Sequence, residues 1–178
     1  MLISMNFDNL VLRPNCLLTK SPLVFVPGPR SLFHYQNSYG MLPRFLFEHG
    51  YVTSTLSLPF RGSNARKAAF KKWLSLSAGK LHLIMDQLVY DELKAELSTQ
   101  RIQSITVISS IESELSCETF KITEKPLTTA NYALHRILNW VLQTETPPFE
   151  RTFLRFNQLT YDRFLDHCVK LAENEIYA

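Results

Sequence analysis

The stretch KLHLIMDQLVYDEL, residues 80–93, decides the fold class that the sequence predicts. Its first part, LHLIMD (81–86), is a short and mostly apolar run, typical of a strand that is buried on both faces. Its second part leads into a helix predicted for 89–100, in which Leu93 and Leu97 stand four positions apart on one face. Gln87 occupies the corner between strand and helix, so its chemistry has to be explained.

Strand and helix patterns alternate on both sides of this stretch. For example, PLVFVPGP (22–29) is an apolar run closed by Pro-Gly-Pro, and a helical pattern after it ends just before Gly50. Because parallel strands need such helical crossovers, the alternation predicts a three-layer α/β fold with a mostly parallel sheet of four to six strands. The predicted strands are 22–29, 52–59, 81–86 and 102–110, and the predicted helices are 41–49, 63–76 with Ser63 or Asn64 as its cap, and 89–100.

The alternation ends after residue 110. A chain of 178 residues suits one domain with a sizeable core. We therefore expect a single α/β domain over 1–178, with the sheet in 20–110 and a helical C-terminal part in 111–178. The elements predicted for that part are a short strand at 116–123, a helix at 128–144, a loop at 145–151 and a final helix at 160–175.

Charge and hydropathy argue against nucleic-acid and membrane-spanning proteins. The formal net charge is +3, and no run approaches the ~20 apolar residues of a membrane span. The densest basic stretch, residues 61–73, is predicted to be the solvated face of a helix, and its aromatic residues, Phe70 and Trp73, are assigned to the core. The basic residues of this stretch are Arg61, Arg66, Lys67, Lys71 and Lys72.

The cysteine, histidine and glycine patterns indicate no cofactor and no metal. The three cysteines lie far apart and outside any CxxC spacing, which argues against a disulfide framework or a zinc site and favours a reducing, cytoplasmic compartment. Neither of the two glycine-rich nucleotide-binding motifs, G-x-G-x-x-G and G-x-x-x-x-G-K-[ST], is present. Four histidines lack metal-ligand spacing and are expected to be structural: His49, His82, His135 and His167.

The order of four motifs resembles the N-terminal half of the bacterial triacylglycerol lipases of the α/β-hydrolase fold. The motifs are VFVPG, MLPRFLFEHGYV, LPFRGSNARKAAFKKWL and KLHLIMDQ, and the resemblance covers about residues 20–110. In that family, a strand reading roughly His-Leu-Ile-Gly-His-Ser-Met-Gly-Gly carries the nucleophilic serine at its end. The resemblance implies the strand order 2-1-3-4 and a site at the carboxyl ends of the strands.

The residues at the implied nucleophile turn depart from the family. Met85 and Val89 stand where the family has glycines that let strand and helix approach closely. Gln87 takes the nucleophile position, and a carboxamide cannot be deprotonated to attack an acyl carbon. Pro29, in the loop that would stabilise the oxyanion, has no N–H to donate. We expect the triad acid and base, which follow later strands in this family, to be missing.

These departures predict a catalytically inactive lipase-like protein that acts by binding a protein partner or an acyl ligand. The alternative is a hydrolase with a rebuilt site without a serine nucleophile, in which His34 or Asp86 acts as general base. The candidate pocket comprises Pro29, Arg30, His34, Tyr35, Asp86, Gln87 and Leu88.

We also expect the protein to associate, as a homodimer or with another protein. A four-stranded sheet would end at the strand 102–110, and an uncovered edge strand pairs readily with other chains. Residues 147–165 offer a second surface, because aromatic residues and arginine are enriched at interfaces. The candidate interface residues are Phe149, Phe153 and Phe156. The alternative is a monomer in which the C-terminal helices cover the edge.

Overall fold

The computed structural model describes residues 17–27, 39–59, 62–97, 100–109, 118–121, 124–126, 152–154 and 158–177. These residues form seven strands and four α-helices. The strands are β1 (Leu23–Val26), β2 (Thr53–Thr55), β3 (Leu81–Asp86), β4 (Ile102–Ser109), β5 (Glu118–Lys121), β6 (Glu124–Pro126) and β7 (Thr152–Leu154). The helices are α1 (Leu42–Glu48), α2 (Ser63–Leu76), α3 (Gln87–Leu93) and α4 (Gln158–Tyr177), and a 3-10 turn at Lys94–Glu96 extends α3.

Five of the strands form one parallel sheet in the order β2-β1-β3-β4-β5. The predicted α/β class and the predicted order 2-1-3-4 of the first four strands are therefore confirmed. The central strands β1 and β3 are buried along their whole length, which explains why their sequences are apolar without alternation. The remaining two strands, β6 and β7, form a separate antiparallel pair.

Helices cover both faces of the sheet. On one face, α1 and α4 pack on residues such as Phe25, Ile84 and Ile108. On the other face, α2 and α3 pack on residues such as Val24 and Leu83. Successive strand residues point to opposite faces, so each central strand contributes to both cores. The final helix predicted at 160–175 is confirmed as α4, and the face that it turns inward is buried: Phe164, Leu165, Cys168, Leu171 and Ala172.

Helix boundaries differ from the predictions where a local cap decides them. The helix predicted for 89–100 begins two residues earlier, since the Asp86 side chain accepts a hydrogen bond from the Val89 N–H and caps it. The cap predicted for α2 at Ser63 or Asn64 is wrong. Gly62 takes that position with φ 71°, a left-handed conformation that glycine adopts at little cost. Gly50 follows α1 with φ 92°, as predicted.

The C-terminal part extends the sheet. The strand predicted at 116–123 is confirmed as β5, which pairs with β4 from Thr106 to Ser109. The expectation that β4 forms the uncovered edge is therefore wrong for Thr106–Ser109, the half of the strand that pairs with β5. The C-terminal helix α4 lies on a face of the sheet.

Several predictions fall outside the described residues. They are the helix at 128–144, the loop at 145–151 and the interface residues Phe149 and Phe156. Phe153 lies in β7, opposite Lys125 of β6.

Candidate functional site

The first candidate region is the corner between β3 and α3, which Tyr39 and Asp86 hold together. The Tyr39 hydroxyl group donates a hydrogen bond to the Val26 carbonyl at the end of β1, at 2.6 Å. It accepts one from the Asp86 backbone N–H at 3.2 Å. The Asp86 carboxylate in turn accepts the Val89 N–H at 2.9 Å. Asp86 is fully buried, and its carboxylate therefore has a structural function as the cap of α3.

The turn itself is filled by side chains. Met85 and Val89, which replace the glycines of the resembled pattern, are both 0% exposed. Gln87 is partly exposed, and its Nε2 donates to Asp91 Oδ2, one turn further along α3, at 3.2 Å. Its Oε1 is buried and accepts no hydrogen bond from any residue of the described segments. The corner thus presents one unused acceptor and no nucleophile.

Part of the predicted pocket lies within the described residues. Asp86, Gln87 and Leu88 are consecutive at the corner, at the carboxyl end of β3. The other members lie outside the described residues: Pro29, Arg30, His34 and Tyr35. The alternative general base at His34 therefore stays a prediction.

A second candidate region lies under α4, near the amino ends of β3 and β4. His82 on β3 is aligned with Ser104 on β4, and its Nδ1 is 2.7 Å from Ser104 Oγ. Its Nε2 is 3.0 Å from Glu175 Oε1 on α4. A carboxylate can only accept hydrogen bonds, so the His82 ring donates from Nε2 to Glu175. In its neutral form, the ring then accepts a hydrogen bond from the Ser104 hydroxyl group at Nδ1. His82 is 1% exposed, whereas Ser104 is partly exposed.

Glu175 is held in place by several donors. Its carboxylate also accepts the backbone N–H groups of Lys20 and Ser21, which precede β1. Burial alone would raise the pKa of the Glu175 carboxyl, but the hydrogen bonds from Ser21, Lys20 and His82 together hold that pKa below its ordinary value. Glu175 is therefore an anion at neutral pH and a fixed partner for His82.

A second histidine lies beside this array. His167 Nε2 is 2.9 Å from the hydroxyl group of Thr106, which lies two residues after Ser104 on the same face of β4. Burial, with smaller contributions from Lys170 and His82, lowers the pKa of His167 to about 4. The ring is therefore neutral at pH 7. His167 also lines a surface cavity of about 280 Å³ together with Arg163, Asp166 and Lys170.

The sequence interpretation missed this cluster, since it treated His82 and His167 as isolated structural residues. His82 and Glu175 are 93 positions apart, so no local spacing reveals their contact. A signal was present in the predicted strand 102–110, where Ser104 and Thr106 put two hydroxyl groups on one face.

The basic stretch of α2 is not a uniformly solvated face. Arg66 is 2% exposed and its Nη2 lies 3.1 Å from Glu92 Oε2 on α3, an ion pair without hydrogen-bond geometry. Lys71 pairs with Glu96 at 3.7 Å. The prediction that Phe70 belongs to the core is confirmed, and Trp73 packs against that core. The expectation of a solvated Arg66 is wrong, because the α2–α3 contact buries it.

The described residues contain no group of three or more histidine, cysteine, aspartate or glutamate residues that could hold a metal ion. Among the helices of the described segments, none is long and apolar enough to cross a bilayer.

Comparisons with family models, curated proteins and solved structures give no match for the chain. The fold and these sites define a parallel α/β protein.

Proposed function

We propose that this chain is a lipase-like α/β domain whose corner at β3 and α3 acts by binding and does not catalyse acyl transfer. The observation that carries the proposal is the buried Asp86 carboxylate, which caps α3 through the Val89 N–H at 2.9 Å. A carboxylate that accepts this bond in a fully buried position is poorly placed to take a proton from a substrate.

The chemistry of the corner supports binding in two further ways. Gln87, at the position of the resembled nucleophile, has a carboxamide that cannot attack an acyl carbon. Its Oε1 lacks a donor within the described segments and is buried, so an N–H or O–H group of a ligand or partner would satisfy it once the side chains that cover it move aside. In open parallel sheets, ligands bind beyond the carboxyl ends of the strands, which is where Gln87 stands.

The proposed occupant is an acyl ligand or a protein partner, a second copy of the chain included. A long-chain acid supplies both an apolar tail and, when protonated, an O–H donor for Gln87 Oε1. We place the protein in a reducing, cytoplasmic compartment, in keeping with the free and buried thiol of Cys168.

Two assays test the proposal. Hydrolysis of short p-nitrophenyl esters is measured for the unchanged chain and for Gln87→Ala, and we expect the same rate from both. Displacement of a fluorescent long-chain fatty acid is measured for the unchanged chain and Gln87→Leu, and we expect affinity to fall about fivefold for the loss of one hydrogen bond. Ester turnover that disappears in Gln87→Ala would overturn the proposal.

Assembly is measured separately by sedimentation at several protein concentrations. We expect a complex larger than the monomer, either from the chain alone or after a partner is added. A chain that stays monomeric and also fails to bind the fatty acid would contradict the binding function.

A further inference from the structure

The cluster under α4 has the arrangement of an activated nucleophile. Ser104 Oγ, His82 Nδ1 and Glu175 Oε1 are linked by two contacts through one imidazole, at 2.7 Å and 3.0 Å. A hydroxyl bonded to a base, with the base oriented by a third group, is the geometry that makes serine reactive. The array lies near the amino ends of the strands, and is therefore separate from the corner at Gln87.

We propose that Ser104 is the nucleophile of a second site that reacts with activated esters or thioesters. The proposal is independent of the binding function of the corner. Ser104 is partly exposed while His82 is almost wholly buried, so the residue that carries the nucleophilic oxygen lies closer to solvent than its base. The anionic Glu175, fixed by the N–H groups of Lys20 and Ser21, holds the imidazole in the tautomer that accepts the serine proton.

The chemical step is a simple acyl transfer. Ser104 Oγ attacks the acyl carbon as its proton passes to His82 Nδ1, and Glu175 stabilises the imidazolium that forms. The bond to the leaving alcohol or thiol then breaks, and the leaving group takes the proton from His82. Water then attacks the acyl-serine by the same two steps, with His82 as the base. This releases the acid and restores the serine.

The neighbouring cavity indicates the class of substrate. Two cationic side chains, Arg163 and Lys170, and one anionic side chain, Asp166, line it beside neutral His167. A cavity of about 280 Å³ suits a small acyl compound, and the excess of positive charge favours one that carries an anionic group. His167, which lines the cavity, bonds to Thr106, and Thr106 lies two residues from Ser104 on the same face of β4.

The test uses a fluorophosphonate, which reacts with an activated serine as fluoride leaves. The full chain is incubated with the probe at neutral pH, and the modified residue is mapped by mass spectrometry. We expect one adduct, on Ser104. Ser104→Ala should abolish it, and Glu175→Gln should slow it by at least about tenfold, as loss of the orienting acid does in serine hydrolases. Ser54→Ala is the matched control, because Ser54 is an exposed serine in β2 of the same sheet.

A second variant keeps the proposal testable if Glu175→Gln fails to fold. Ser104→Cys places a thiol beside His82, and we expect iodoacetamide to modify this new thiol at pH 7 faster than it modifies a free thiol in a peptide. No adduct with the fluorophosphonate, an adduct on another serine, or slow alkylation of the Ser104→Cys thiol would each overturn the proposal. Ester turnover that is lost in Ser104→Ala and kept in Gln87→Ala supports it and leaves the corner non-catalytic.

Discussion

The Tyr39 hydroxyl group lies 3.2 Å from the backbone nitrogen of Asp86 and accepts its N–H. The same hydroxyl donates to the Val26 carbonyl, so one side chain joins the ends of the two central strands. Both strands end in the first candidate region. The geometry of the corner therefore depends on a residue that precedes α1 by three positions in the chain.

Tyr39→Phe removes this link without removing the ring. The change removes two hydrogen bonds, one to the Val26 carbonyl and one from the Asp86 N–H. We expect the free energy of unfolding, measured by urea denaturation, to fall by about 1–3 kcal/mol, since each hydrogen bond contributes about 0.5–1.5 kcal/mol. Tyr90→Phe on α3, which is partly buried, is the control and should change stability much less. Equal effects of the two changes would contradict this function of Tyr39.

The Arg66–Glu92 pair predicts an asymmetric response to mutation. Arg66 is 2% exposed, while Glu92 is 13% exposed and closer to solvent. Glu92→Leu leaves a buried cation, so we expect it to cost about 3 kcal/mol of the free energy of unfolding. Arg66→Met should cost less, because Glu92 can reach water.

The double variant Arg66→Met, Glu92→Leu tests whether the two side chains interact. We expect its free energy of unfolding to lie within about 1 kcal/mol of that of the unchanged chain, or above it. The reason is that apolar replacement of a buried ion pair avoids the desolvation cost of the pair. Strictly additive losses in urea denaturation would show that the two side chains do not interact.

His167 makes stability depend on pH. Its pKa in the folded chain is about 4, below the ordinary value of 6.5, so the unfolded chain binds the proton more readily between these values. The stability that this pKa difference contributes is fully present above pH 6.5 and is lost as the pH falls toward 4. Between pH 7 and pH 5, we expect the unchanged chain to lose about 2 kcal/mol more stability than His167→Asn. Parallel pH profiles of the two proteins would contradict this.

Cys168 is expected to be inert in the folded chain. The side chain is 0% exposed, and burial raises the pKa of its thiol far above the usual range, which suppresses the reactive thiolate. Alkylation by iodoacetamide, mapped to this residue by mass spectrometry, should follow the rate of unfolding as urea is added. Ser104→Cys provides the contrast, since it places a thiol at a partly exposed position. Rapid alkylation of Cys168 in native buffer would show that the α4 core opens.

The fold could be predicted because its information is local. Strand β1 and strand β3 are apolar runs, and the helices between the strands show their buried faces in the spacing of residues such as Phe45 and Phe70. The order of the strands in the sheet cannot be inferred from local patterns, and it was predicted from the motif resemblance. The cap of α3 was missed, since Asp86 was considered only as a possible catalytic group.

The polar cluster could not be predicted in the same way. Ser104, His82 and Glu175 come from three elements, and α4 has to lie on the α1 face before they meet. Periodicity identifies which face of α4 is apolar, but not which face of the sheet receives it. The strand β5 was predicted, but its place beside β4 was not, because the apolar pattern of a strand does not show which strand it pairs with.

The hydrogen bonds from Lys20 and Ser21 to Glu175 join positions 155 and 154 apart in the chain. During synthesis, β1 to β4 leave the ribosome long before α4, and the α1 face of the sheet lacks that cover in the meantime. Contacts of such long range slow folding and lengthen the exposure of apolar surface. A nascent chain arrested before residue 158 should therefore recruit chaperones that bind apolar segments, and release from them should coincide with the emergence of α4.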